Sequence, residues 1–388
     1  MKNNSFFVIC CAALSILAFS CQKADMADER AKRAGESTGD IRIAAVGAWG
    51  RDNDEAKAWN GIEMAVEEIN KTGGILGRKF LVVKKDDKGT VEGAVLAAEE
   101  ISGDPDIVAV IGHTSSFTTM PSSRVYEAKG LLHISPIASS PELLEQNNKL
   151  IIDVQVTTDM AAKYLAEFAR DRGYGEIAMS YVYDDYGTRF ATEFDKASAQ
   201  FGIKIIDSMP YWLGEGNDNF DSIARKWKNF DFDAMLLAGH PKDTEAFITK
   251  VRQAGINKPI LTDTALNAAA VARCGKNLNG VVTTSYFDIE PENRIAQEFI
   301  KAYRDKYGLS PSRYSANSYE AVKLLAEGMR KAQSTVPAKV ATALRTVKDW
   351  QGISGQYSIG KDGGIEGKPV LLMEFRNGKF VLVKVKSL

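Results

Sequence analysis

The sequence predicts an α/β protein with two doubly wound parallel-sheet lobes joined by a three-strand hinge. Three observations carry that expectation. Apolar, β-rich runs alternate with amphipathic helical runs from Ile41 onward, the pattern of a parallel sheet covered on both faces. The alternation restarts after Ile151–Thr158, as a second lobe would. The last third breaks it: two long helical runs precede three strand-like runs, so the chain returns to complete both lobes. A length of 388 residues suits two domains better than one core.

The elements follow from period and punctuation. IRIAAVGAW reads as a strand, and EAKAWNGIEMAVEEIN as a helix with apolar steps of three and four. FLVVKKDD, IVAVIG and LLHIS are strands, with VEGAVLAAEEIS a helix among them. The helix after GHTSSFTT is expected to start near Met120, with Thr119 as cap and Pro121 in the first turn. In the second lobe, MAAKYLAEFARDRG, TRFATEFDKASAQFG and DTEAFITKVRQAG are helices, while EIAMSYVY, IKIIDSMPY, FDAMLLAG, PILTD and GVVTTSYF are strands. ENRIAQEFIKAYRDKYG and SANSYEAVKLLAEGMRKA are the late helices; GQYSIG, PVLLMEFRNG and KFVLVKVK are the late strands. Chain crossings near residues 155, 285 and 351 divide the fold into an N-terminal lobe of residues 40–155 plus 286–350 and a C-terminal lobe of 156–285 plus 351–388.

The first residues differ in kind. Lys2, an apolar run from Phe6 to Phe19 and small Ser20 have the form of a signal peptide over residues 1–20. The run falls short of the roughly 20 residues of a membrane span. Cys21 directly after it resembles a lipoprotein lipobox and is expected to carry lipid; ordinary cleavage near Ser20 is the plainer alternative. Residues 21–39 are charged and poor in large apolar side chains, so a flexible tether is expected there. Cys10 and Cys11 leave with the signal, and Cys274 has no partner left for an intrachain disulfide.

A net charge of −1 and 45% hydrophobic residues are ordinary for a globular protein. No basic excess points to nucleic acid. No H-E-x-x-H or paired cysteines suggest zinc, no G-x-S-x-G elbow precedes a helix, and no G-x-G-x-x-G follows the first strand. No cofactor or metal is expected, and an enzyme, such as a hydrolase working in the cleft, is disfavoured.

Ligands of open parallel sheets sit beyond the carboxyl ends of the strands. In the first lobe those ends carry hydroxyls: Thr114, Ser115 and Ser116, then Ser139 with the backbone of Ile137 and Ala138. Each group precedes a helix start, where free amides and the dipole favour a carboxylate. Capping alone is the plainer use of either cluster; two on neighbouring strand ends favour a ligand. The second lobe's ends are acidic and aromatic, with Asp184, Asp185, Tyr186, His240, Asp243 and Asp263. Asp243, and Asp184 or Asp185, suit helix caps; Asp263 suits a ligand ammonium, which an aromatic such as Tyr186 would cover. The two edges are expected to face one another across a cleft.

The stretch VIGHTSSFTTMPSSRVYEAKGLLHISPIASSPEL, with GGILGRKFLVVKKDD before it and YDDYG after it, resembles the leucine/isoleucine/valine-binding family of type I periplasmic solute-binding proteins of ABC transporters. The resemblance implies two α/β lobes, three crossovers and a ligand enclosed by them. It implies that Ser116, Ile137 and Ser139 hold the ligand's carboxylate and ammonium. It places the second-lobe aromatic on His240, the ammonium-binding glutamate on Thr264, and a further pocket aromatic on Tyr314. Three departures stand out: GRDNDEAKAW replaces a longer glycine-rich wall, His240 replaces a phenol, and Thr264 lacks a carboxylate unless Asp263 substitutes. A branched-chain ligand therefore does not follow. The expected protein is an exported, periplasmic or cell-surface monomer, anchored through Cys21, that captures an amino acid or similar carboxylate and delivers it to an ABC permease in the inner membrane. A ligand-sensing partner of a membrane receptor is the alternative function class.

Overall fold

The computed structural model describes residues 26–50, 57–212, 219–263, 266, 268–288, 291 and 293–386. The chain divides into two compact units, one of residues 1–155 and 289–366, the other of 156–288 and 367–388. The third division falls after residue 366 and not near 351. The cause is a small antiparallel sheet that the sequence reading split: β11 (Trp350–Gly352), β12 (Gly355–Ile359) and β13 (Ile365–Glu366) pair with one another inside the first unit.

The first unit is built on a five-stranded parallel sheet in the order β2-β1-β3-β4-β5. Its strands are β1 (Ile41–Gly47), β2 (Phe80–Asp86), β3 (Ile107–Ile111), β4 (Leu132–Ser135) and β5 (Ile151–Asp153). β3, β4 and β5 are buried at every residue, which is why they read as unbroken apolar runs. Its helices include α2 (Ala58–Lys71), α3 (Val91–Ser102), α4 (Ser116–Ala128), α5 (Glu142–Glu145), α11 (Arg294–Tyr307), α12 (Arg313–Ala332) and α13 (Pro337–Leu344). The long helix α12 packs beside α2, and the Tyr319 hydroxyl donates to Glu68 at 2.5 Å.

The second unit repeats the same order. Its parallel strands β6 (Glu176–Val182), β7 (Lys204–Tyr211), β8 (Ala234–Ala238), β9 (Ile260–Thr262) and β10 (Val281–Ser285) lie as β7-β6-β8-β9-β10. The late strands β14 (Val370–Arg376) and β15 (Lys379–Lys386) extend it antiparallel beyond β10. Helices α6 (Thr158–Asp171), α7 (Asp185–Gln200), α8 (Asn219–Trp227), α9 (Pro241–Gln253) and α10 (Ala268–Cys274) complete it. Trp227, Phe247 and Phe220 form an aromatic knot beneath α8 and α9, with ring centroids 4.9–5.8 Å apart.

One expectation fails at the N-terminus. Residues 26–36 form a helix, α1, and not a flexible tether. Arg30 and Ala34 are buried against the first unit. The charged composition conceals this because the anchoring side chain is itself an arginine. No helix among the described residues is long and apolar enough to cross a membrane. The signal segment and Cys21 lie outside the described residues.

Candidate functional site

Strand order 2-1-3-4-5 reverses direction between the first and third strands, and the crevice beyond that switch point is where ligands bind. Both units have one. In the first it lies between β1 and β3, in the second between β6 and β8.

At the first switch point the chain leaves β3 through Gly112, whose φ of +144° favours glycine and where an added Cβ would meet the Val46 carbonyl oxygen at 2.1 Å. His113 follows, fully buried. Its Nδ1 lies 2.6 Å from Asp87 Oδ2 and its Nε2 3.0 Å from the Tyr126 hydroxyl. Nδ1 thus bonds the Asp87 carboxylate while Nε2 pairs with the Tyr126 hydroxyl, so both ring nitrogens are held. His133 Nε2 donates to the Gly112 carbonyl at 2.5 Å. Burial, then the neighbouring His113, pushes the His133 pKa down to about 3, so that ring is neutral. Burial, then the Asp87 charge, pushes the Tyr126 hydroxyl far up.

This buried base holds the hydroxyl loop. Thr114 is buried, and its Oγ1 accepts from the Ala48 amide at 3.4 Å, tying β3's end to β1's. Ser115 occupies the N-cap position of α4; its Oγ meets Thr118 Oγ1 at 2.7 Å and makes no bond to a helix amide. Ser116 Oγ accepts from the amides of Ser139 and Ser140 at 3.1 and 3.2 Å, latching the loop after β3 to the loop after β4. Helix α4 therefore starts at Ser116, four residues before the expected Met120. Thr119 is no cap: its Oγ1 donates back to the Ser115 carbonyl at 2.7 Å. Pro121 lies inside the helix and leaves the Phe117 carbonyl without its intrahelical amide.

The second loop has its own hidden support. Asn317 of α12, buried, donates to the Pro136 carbonyl at 3.1 Å and to Gln155 Oε1 at 2.5 Å. Ile137 and Ser139 beyond it are half-buried, and Ala138 is buried. Tyr314, half-buried, lies one turn before Asn317 on the same helix face, with the Arg313 guanidinium 5.1 Å from its ring centre.

At the second switch point the groups are charged. Asp184 caps α7 through the Gly187 amide at 2.8 Å, and its other oxygen lies 2.7 Å from His240 Nε2. Tyr186 stacks on His240 with centroids 5.8 Å apart. Burial pushes the Asp184 carboxyl up, but the bond from His240 and the Gly187 amide outweigh it and hold it below the usual range. Asp243 is pushed above its usual range, by burial first and by Asp184, with His240 opposing. His240, followed by Pro241, holds the N-cap position of α9, so Asp243 sits in the first turn and does not cap. Asp263 is buried; it accepts from the Thr284 and Tyr286 hydroxyls, so its carboxylate is anchored in the strand layer. Thr264 lies outside the described residues.

Thus the structure joins Thr114, Ser115, Ser116 and Ser139 at one edge, and Asp184, Tyr186 and His240 at another. The Asp87–His113–Tyr126 chain and Asn317 escaped the sequence reading. A histidine directly after the last strand glycine was the available signal for the first; Asn317 left none.

The periplasmic binding protein family matches residues 48–379. The chain belongs to that family. A leucine-, isoleucine-, valine-, threonine- and alanine-binding protein of Pseudomonas aeruginosa is 30% identical over 293 residues, covering 74% of this chain and 76% of that one. An ABC transporter substrate-binding protein of Desulfitobacterium hafniense superposes with a TM-score of 0.80 at 29% identity, covering 89% of this chain and all of the other. A complex with Leu of an ABC transporter substrate-binding protein from the same organism gives 0.78 at 29% identity. The isoleucine complex of a branched-chain amino acid transporter substrate-binding protein from Streptococcus pneumoniae shares the fold at a TM-score of 0.79 and 23% identity. The resemblance carried by residues 110–143 is thereby upheld, as are the two parallel-sheet lobes. Periplasmic binding proteins are exported, which agrees with the leader-like N-terminus.

Proposed function

We propose that this periplasmic binding protein captures an α-amino acid or similar small carboxylate and delivers it to an ABC permease, acting as a monomer held to a membrane by lipid on Cys21. The observation that carries the reading is the Ser116 latch, which draws two strand-end loops into one hydroxyl- and amide-rich edge at the start of α4. A ligand carboxylate would settle among Thr114, Ser115, Ser116 and the 137–139 backbone, where hydrogen bonds to a charged group are each worth about 1.5–3 kcal/mol. Asp263 is the proposed ammonium partner, and Thr264, Tyr186, His240 and Tyr314 belong to the same proposed set. Hydroxyls, amides and acids recognise the α-amino acid core and leave the side chain to the walls. The relatives' ligands make leucine, isoleucine, valine, threonine and alanine the first panel for calorimetry. Binding at about 1 μM or tighter, −8 kcal/mol, by a member of a full amino-acid panel is expected; heat from none would remove the amino-acid reading.

A further inference from the structure

The helix α1 docks where the first unit's strands begin. Arg30, fully buried, donates through Nε to the Ile107 carbonyl at 2.8 Å and through Nη2 to those of Ser102 and Asp104 at 2.6 and 3.0 Å; Nη1 reaches the Lys129 carbonyl. Ser102 ends α3, Lys129 follows α4, and Ile107 opens β3. One guanidinium therefore closes the carbonyl ends of two helices, where the dipoles favour a cation. Burial pushes its pKa down to about 10, with Asp104 opposing. The rest of the arm is fastened as well. Ala27 sits so close to Gly130, at φ +68°, that an added Cβ there would lie 2.6 Å from Ala27 Cβ. Arg33 pairs with Asp106 at 3.2 Å, Thr335 donates to the Ala34 carbonyl at 2.8 Å, and Arg78 donates to the Gly39 carbonyl at 2.5 Å.

All these contacts lie at the end of the unit opposite the hydroxyl loops. The separation is the length of β3 and α4, about 15–20 Å. Only residues 22–25 separate Cys21 from the described start of α1, and five Cα steps reach at most about 18 Å.

We propose that α1 is a rigid stand-off that turns the strand-start face of the first unit towards the bilayer holding the anchor and points the binding edge away from it. This rests on the reading of Cys21 as lipid-bearing. A charged composition suggests a free leash; the buried arginine makes the arm part of the lobe, so the lobe's tilt is set within a short radius of the lipid.

The test uses the full, membrane-extracted chain in vesicles carrying a headgroup quencher. Glu127→Cys and Phe117→Cys place a fluorophore at opposite ends of the same helix, ten residues or about 15 Å apart; both positions are exposed, and the native Cys274 is buried. Quenching about twofold or more stronger at 127 than at 117 is expected from that spacing, and Arg30→Ala should erase the difference. Equal quenching in the parent chain overturns the stand-off, as does a difference that survives Arg30→Ala. Hydrogen exchange on the unmutated chain guards against a variant that fails to fold: α1 amides should be protected at least about a hundredfold, and free-peptide rates overturn docking. Intact mass keeps the two ideas apart, since a chain without lipid at Cys21 removes the anchor reading itself, and the stand-off with it, while leaving α1 protected.

Discussion

At the β1/β3 switch point the groups that meet at the surface are neutral, and the charge lies underneath, in the buried Asp87–His113 pair. At the β6/β8 switch point the charge is at the surface, where half-exposed His240 bridges to Asp184. The topology is the same, so the difference is chemical. The first edge presents hydroxyls and amides over a ring held at both nitrogens. An edge made of a partly exposed ion pair is adjustable and answers to pH.

The comparison can be broken most forcefully at its base. His113→Leu leaves Asp87 buried without its partner, a loss of about 3–5 kcal/mol, or on the order of 10 °C in the first unit's melting transition. Scanning calorimetry should show the second unit's transition almost unmoved; a shift of only a degree would mean that the buried pair does not support this edge.

Ser116→Ala comes next. It removes the acceptor shared by two amides, and about 1–3 kcal/mol of ligand affinity should go with it. Titration calorimetry decides, and unchanged affinity would make Ser116 a mere loop staple.

At the charged edge the effects are smaller. Asp184→Asn should lower stability by about 0.2–1 kcal/mol at neutral pH, since the pair is partly exposed. The folded carboxyl titrates lower than the unfolded one, so its contribution is present above about pH 4 and fades as pH falls through the depressed value. Urea melts of the variant and parent should therefore converge in acid; curves that diverge there contradict the sign. Asp243→Asn should do the reverse and least of all. Its folded pKa is raised, so the ionised form opposes folding at neutral pH, and the amide should raise the midpoint slightly. That gain should vanish below about pH 4, and a variant less stable than the parent at pH 7 would show that Asp243 has a favourable partner.

The sheets were legible because buried parallel strands are unbroken apolar runs, as at Ile107–Ile111 and Ala234–Ala238. Three-residue β5 and β11 are too short to announce themselves, and missing β11 moved the last boundary by sixteen residues, from after 350 to after 366. The hydroxyl edge was legible as a local cluster, whereas its supports were not. Asp87 and His113 are 26 residues apart, and Asn317 reaches 181 residues back to Pro136. Pro121 misled because a first-turn proline and an interior one look alike in one sequence. α1 misled because average polarity says nothing of one arginine with four carbonyls to satisfy.

The division after residue 366 also bears on how the protein is made. The first unit needs α12 from late in the chain, and the second needs β14, which pairs directly with β10. Neither sheet-and-helix stack is therefore complete without residues from late in the chain. Val370–Arg376 is seated inside the sheet with β15 outside it, so the second unit's sheet is continuous only once this late segment is in place.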